Sequence, residues 1–148
     1  MAHPSRILTL DSNVMIAALK QDEFHSDRCA EILRNVPNRF ILSEPSIIYQ
    51  EVCGTLAKRV GVEVADDAKR QLDLIIHPNL LANCNRAFCI MAYPLCPTYD
   101  IYAVDALYLK TALDNRAVLV SLDKEDFIDK VNSKRPNIEA YHASQFPY

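Results

Sequence analysis

The chain has 148 residues, 50% of them hydrophobic and 24% charged, with a formal net charge of -3 and a pI near 5.8. That length suits one domain over residues 1–148 with a real core, and the lack of low-complexity or Gly/Ser-rich tracts excludes extended disorder. The acidic balance excludes nucleic-acid binding through a dominant basic face, which takes clustered Lys and Arg, but not a site where bound cations supply the positive charge.

In chain order, the run RILTL at 6–10 is short, apolar and rich in Leu and β-branched residues. It suits a strand buried on both faces, as in a parallel sheet. Similar runs at 39–42, 87–92 (AFCIMA), 117–122 (AVLVSL) and, more weakly, 138–141 predict further strands. Helical patterning falls at 14–20, 26–34, 46–59, 64–76, 101–115 and 124–130. Pro45 suits a first helical turn, Gly61 a left-handed cap after the third helix, and Pro78 the stop of the fourth. Residues 78–86 read as a loop, and 133–148, with Pro136 and Pro147, as an edge strand and a loose end. Strands alternating with helices predict a three-layer α/β/α sandwich around a mostly parallel sheet.

The five cysteines, Cys29, Cys53, Cys84, Cys89 and Cys96, contain no CxxC pair. With no signal-like or membrane-spanning apolar stretch at the start, a soluble cytoplasmic protein with reduced thiols is expected. Cys89 and Cys96 lack a second pair or spaced histidines, so they read as free core thiols. His3, His25, His77 and His142 are scattered and support no histidine acid or base. Lys58, Arg59, Lys69, Arg70, Lys110 and Arg116 could steer phosphate, although such residues usually form a solvated helix back.

Four acids stand out. Asp11 directly follows the first apolar strand and Asp123 follows AVLVSL, so both belong at carboxyl ends of strands, where open α/β sheets bind ligands. Either would also serve as a helix cap. Glu51 adjoins Val52 and stands three and four residues from Ile48 and Ile47, and Asp105 stands four from Ile101 and Leu109 and three from Tyr108, which places both near apolar helix stripes. An ionised carboxylate there is costly unless paired, and these faces offer no obvious Lys or Arg. Oxygen ligands alone favour Mg²⁺ or Mn²⁺ over zinc, and such a cluster suits phosphodiester hydrolysis.

These motifs resemble the PIN domains, and among them the small VapC-type toxins. LDSNVMIAAL resembles the family's first strand and acid, SEPSIIYQEVCGTLAKR its proline and helical Glu, VDALYLKTAL its third acid, and AVLVSLDKEDF its last strand, hydroxyl residue and final Asp. The resemblance covers nearly the whole chain. It implies a metal-dependent ribonuclease with Asp11, Glu51, Asp105 and Asp123 as catalytic and metal-binding acids and Ser121 in support. Asp126 is a possible extra acid, and Asp100 reads as a helix cap. Also implied are an RNA substrate, a homodimer and, for a toxin, an antitoxin partner. The alternative is a PIN-fold binding module without catalysis. A phosphatase or phosphoacceptor domain fits less well, since Asn13 stands where the phosphatase pattern has a second Asp.

Overall fold

RILTL forms β1 (Arg6–Leu10), whose last three residues are buried, as a strand covered on both faces requires. The computed structural model describes residues 5–20, 22 and 24–148. After β1 come α1 (Ser12–Lys20), α2 (Ser26–Arg34), β2 (Phe40–Pro45), α3 (Ile47–Arg59), α4 (Val62–Ile75) and β3 (Ile76–Ala82). The second half runs through α5 (Arg86–Ala92), α6 (Leu95–Tyr99), α7 (Ala103–Asn115) and β4 (Val118–Ser121). A π-helical turn at Lys124–Ile128 leads into α8 (Asp129–Ser133), β5 (Ala140–His142) and a 3₁₀ turn at Ala143–Gln145.

The five strands lie in the order β3-β2-β1-β4-β5, and every adjacent pair is parallel. β1 is central, with Leu8 opposite Leu42 on one side and Val118 on the other. The chain builds outward from β1 to β2 and β3, then crosses to the far side of β1 for β4 and β5. The carboxyl ends of β1 and β4 therefore flank the place where strand order reverses, the natural crevice of such a sheet. α7 packs over β1, β2 and β4, while α1, joined to α2 and α3, covers the other face. This is the expected three-layer α/β/α sandwich.

Leu8, Leu10, Leu42, Leu119 and Val120 of the sheet, Val14 and Met15 of α1, Ile48 and Val52 of α3, and Leu109 of α7 are fully buried in one continuous cluster. Each such side chain contributes about 1.5–3 kcal/mol of transfer free energy. No helix among the described residues is long and apolar enough to cross a membrane.

Residues 87–92, expected as a strand, form α5. The run is short enough to suit either element, and Asn85 decides it by capping the helix, its Oδ1 accepting from Phe88 N at 3.0 Å. Only Ala92 of this helix is buried. The strand lies earlier, in the segment read as helix end and loop. β3 is an edge strand, so Pro78 removes no ladder bond and polar residues face water. Pro45 closes β2, opposite Ala82, and does not begin a helix.

Gly61 does stand between two helices, but at φ 155° and ψ 163°, an extended conformation open to glycine and not the left-handed cap. The helix expected at 124–130 is divided between the π turn and α8, and that expected at 101–115 begins at Ala103. The tail is not loose. Arg28 donates to the Phe146 carbonyl at 2.7 Å, Phe146 is buried against Phe40, and Tyr148 donates its hydroxyl to Glu139 at 2.7 Å.

Candidate active site

Asp11 N–H donates to the Val120 carbonyl at 2.9 Å, continuing the β1–β4 ladder past the end of β1, so its side chain emerges at the reversal crevice. The residue is only 5% exposed. Ser121, the last residue of β4, donates its hydroxyl to Asp11 Oδ2 at 2.7 Å. Ser121 Oγ in turn accepts from Asp123 N at 3.0 Å and from Asn13 Nδ2 at 3.3 Å, and Asn13 Oδ1 accepts from Leu122 N at 3.1 Å. The segments DSN and SLD are thus laced together across two strands. Asp123 also caps the turn after it, its Oδ1 accepting from Asp126 N at 3.1 Å.

The two helical acids come from opposite layers. Glu51 lies on α3 between the buried Ile48 and Val52 stripe and the surface, and its Oε1 accepts from the Tyr108 hydroxyl at 2.7 Å. Asp105 stands in the first turn of α7, three residues ahead of Tyr108, so one helix brings both an acid and the hydroxyl that holds another. Burial, then the charges of Glu44, Glu51 and Asp11 and the hydrogen bond to Glu51, raises the Tyr108 phenol well above its ordinary value. It therefore remains a donor at neutral pH.

The acids repel one another at close quarters. Burial, followed by the charges of Asp11, Asp123, Glu51 and Asp126, pushes the Asp105 carboxyl up to about 7. Asp11 is raised to about 6, chiefly by burial, with the Ser121 hydrogen bond opposing and the Glu51 and Asp123 charges adding. The sequence-expected quartet is therefore gathered at one place. Asp126 sits exposed at its rim.

Among the described residues, none of the ion pairs includes Asp11, Glu51, Asp105 or Asp123. The donor set is all oxygen, partly or wholly buried and uncompensated, which suits a hard divalent cation. Among the described residues, no three His, Cys, Asp or Glu side chains are placed to hold a metal ion as they stand.

Three participants escape a reading of the sequence. Asn13 read only as a missing second Asp, although its amide spans β1 and β4. Tyr108 read as an apolar neighbour of Asp105, although a Tyr one turn from a buried acid is a ready donor. Glu44 lies fully buried within β2, its Oε1 accepting from Leu10 N at 2.6 Å. A Glu interrupting the apolar run FIL and a proline was the available signal.

Other candidates fall away from the cluster. Asp100 does not cap α7; it ends α6 at φ 56° and pairs with Lys130. Lys69 pairs with Asp73, Arg70 with Asp67, and Lys110 with Asp114, each on its own helix. The five cysteines are free; Cys29 is buried, Cys89 exposed, and the others lie between. His25 and His142 contact each other edge-on, with ring centres 5.0 Å apart, His77 is exposed, and His3 lies outside the described residues.

The model of the family described as PIN domain matches residues 8–133. No curated protein sequence matches significantly. Among solved structures, VapBC2 from Rickettsia felis, bound to a promoter DNA fragment, is 17% identical, with 92% of this chain and 98% of that one covered and a TM-score of 0.63. VapC20 of Mycobacterium tuberculosis, a toxin that cleaves the sarcin-ricin loop, is 13% identical, with coverage of 80% and 91% and a TM-score of 0.66. FitAcB from Neisseria gonorrhoeae is 16% identical, with coverage of 95% and 99% and a TM-score of 0.62.

Proposed function

The chain belongs to the PIN-domain family, and on that footing we propose that it is a divalent-metal-dependent ribonuclease that hydrolyses RNA phosphodiesters, acting as the toxin of a toxin–antitoxin pair. The observation that carries the reading is the cluster of four acids, in which burial and the neighbouring charges raise the Asp11 and Asp105 carboxyls and no ion pair among the described residues supplies a cation. Such a cluster is stable and useful only with positive charge supplied from outside.

Asp11, Glu51, Asp105 and Asp123 would hold Mg²⁺ or Mn²⁺. The chemistry a bound cation would supply there is charge neutralisation at the phosphate and a more acidic water. The chain's own residues prepare the site. Ser121 orients Asp11 and ties it to the backbone of Asp123, Asn13 locks the carboxyl ends of β1 and β4 together, and Tyr108 holds Glu51. The likeness to VapBC2 and FitAcB supports an antitoxin partner, and a homodimer is the assembly expected from the family resemblance.

Purified protein should cut RNA with Mg²⁺ or Mn²⁺ and stop in chelator. Asp11→Asn should lower the cutting rate by about 10³-fold or more while retaining the parent's circular dichroism. Cutting by the Asn variant at the parent's rate would contradict the mechanism. No cutting by the parent, with no Mn²⁺ binding at millimolar concentration, would make the chain a binding module instead.

A further inference from the structure

The pairing of β1 with β2 breaks off at the end that carries the acids. Alternate residues of β1 address alternate neighbours: Arg6 N–H donates to Arg39 of the β2 side at 3.2 Å, and Asp11 N–H donates to Val120 of β4 at 2.9 Å. Leu10 N–H therefore faces β2, where a regular ladder would offer the Ser43 carbonyl. The β1–β2 register ends at Leu8 opposite Leu42, however, and β2 shifts register against β3 between Leu42 and Glu44. The Thr9 hydroxyl donates to the Ser43 carbonyl at 2.8 Å, and Leu10 N–H donates to Glu44 Oε1 at 2.6 Å.

A buried peptide N–H needs an acceptor, and here a side chain of the next strand supplies it one residue before Asp11. Glu44 is wholly buried, and its Oε2 has no hydrogen-bond partner among the described residues. An apolar side chain would occupy this place at less cost, so packing alone does not account for a carboxyl group. Burial, and after it the Asp11 charge, raises Glu44 well above the ordinary carboxylate range against the Leu10 bond.

We propose that Glu44 is a positioning residue of the acid site, replacing the missing rung between β1 and β2 at Leu10 and so fixing the direction in which Asp11 leaves the sheet. The proposal rests on the reading of Asp11 as a metal-site acid. Glu44→Gln keeps the acceptor and the shape, whereas Glu44→Met keeps the volume and removes the acceptor.

Amide hydrogen exchange at Leu10 and Asp11, measured by NMR in the metal-free parent and both variants, reads the positioning without the metal. Calorimetric titration with Mn²⁺ reads its consequence. In Glu44→Met, exchange at these two amides should be about tenfold faster relative to Leu119, and Mn²⁺ affinity about tenfold weaker, the usual loss on removing a group that orients a ligand. Glu44→Gln should stay within about twofold of the parent in both. Unchanged exchange in Glu44→Met overturns the proposal, and so does a lowered melting temperature with Mn²⁺ affinity intact, the result of a merely structural carboxyl.

Should Glu44→Met fail to fold, Glu44→Gln still decides. Parent-like exchange with Mn²⁺ affinity at least about tenfold weaker would make Glu44 a ligand and overturn the positioning role, whereas parent-like values of both support it. If the parent binds no Mn²⁺, the metal-site reading fails separately. Faster exchange at Leu10 and Asp11 in Glu44→Met alone then supports Glu44 as the rung, and unchanged rates overturn it.

Discussion

Ser121 satisfies three neighbours with one hydroxyl group: it donates to Asp11 and accepts from the Asp123 backbone and the Asn13 amide. Ser121→Ala strands all three in a buried place and should cost about 1–3 kcal/mol in urea denaturation. It also removes the hydrogen bond that holds the Asp11 carboxyl down, so Mn²⁺ affinity near pH 6 should fall more than at pH 8. Tyr108→Phe removes the hydroxyl that donates to Glu51 Oε1 and should leave the fold within about 1 kcal/mol of the parent while cutting RNA about tenfold more slowly.

At this scale the sequence disclosed the acids better than their settings. The apolar neighbours of Glu51 and Asp105 correctly pointed to the layer interface, but the most buried of the four is Asp11. Its burial comes from β4 and Ser121, more than a hundred residues away, which local periodicity does not encode. Asp123 does act as a cap, as one of its two readings held, and it also stands in the cluster.

Elements with a strong period were legible and ambiguous runs were not. β1, β2 and β4 announce themselves through the short apolar runs that strands buried on both faces carry. β3 does not, because an edge strand tolerates Pro78, His77 and Asn79 and so reads as a loop. AFCIMA carried more hydrophobicity than β3 yet exposes Ile90 and Met91 on α5. The tail shows the same point, since its two prolines suggested a loose end while Phe146 and the Arg28 bonds tie it down. Phe146→Ala should therefore destabilise the protein by about 3 kcal/mol in urea, as loss of a core aromatic ring does. Residues in a loose end would give no measurable change.

For the molecule as a whole, the acid cluster sets how stability varies with pH. Asp11 and Asp105 have folded pKa values of about 6 and about 7, above the ordinary carboxylate value, and Glu44 is raised as well. The folded chain thus keeps protons that the unfolded chain has lost. This contribution is fully present below the unfolded value near pH 4 and is lost as pH rises through 6 and 7. His142, depressed by burial, opposes it over part of that window, but three raised carboxyls outweigh one histidine. The melting temperature of the metal-free protein should accordingly fall from pH 5 to pH 7.5, and Asp105→Asn should flatten the fall. Free Mn²⁺ at a hundred times its dissociation constant should restore about 2.7 kcal/mol at pH 7.5.

The sheet brings together acids from β1, α3, α7 and the end of β4, and the claim that this crevice is a divalent-metal centre can be tested where it stands. Crystals soaked in Mn²⁺ and measured at the manganese absorption edge should show anomalous density among Asp11, Glu51, Asp105 and Asp123, with carboxylate oxygens about 2.1 Å from the ion. Crystals of Asp11→Asn should show much less. Empty density at the four acids in the parent, with manganese absent or bound elsewhere, would contradict the account.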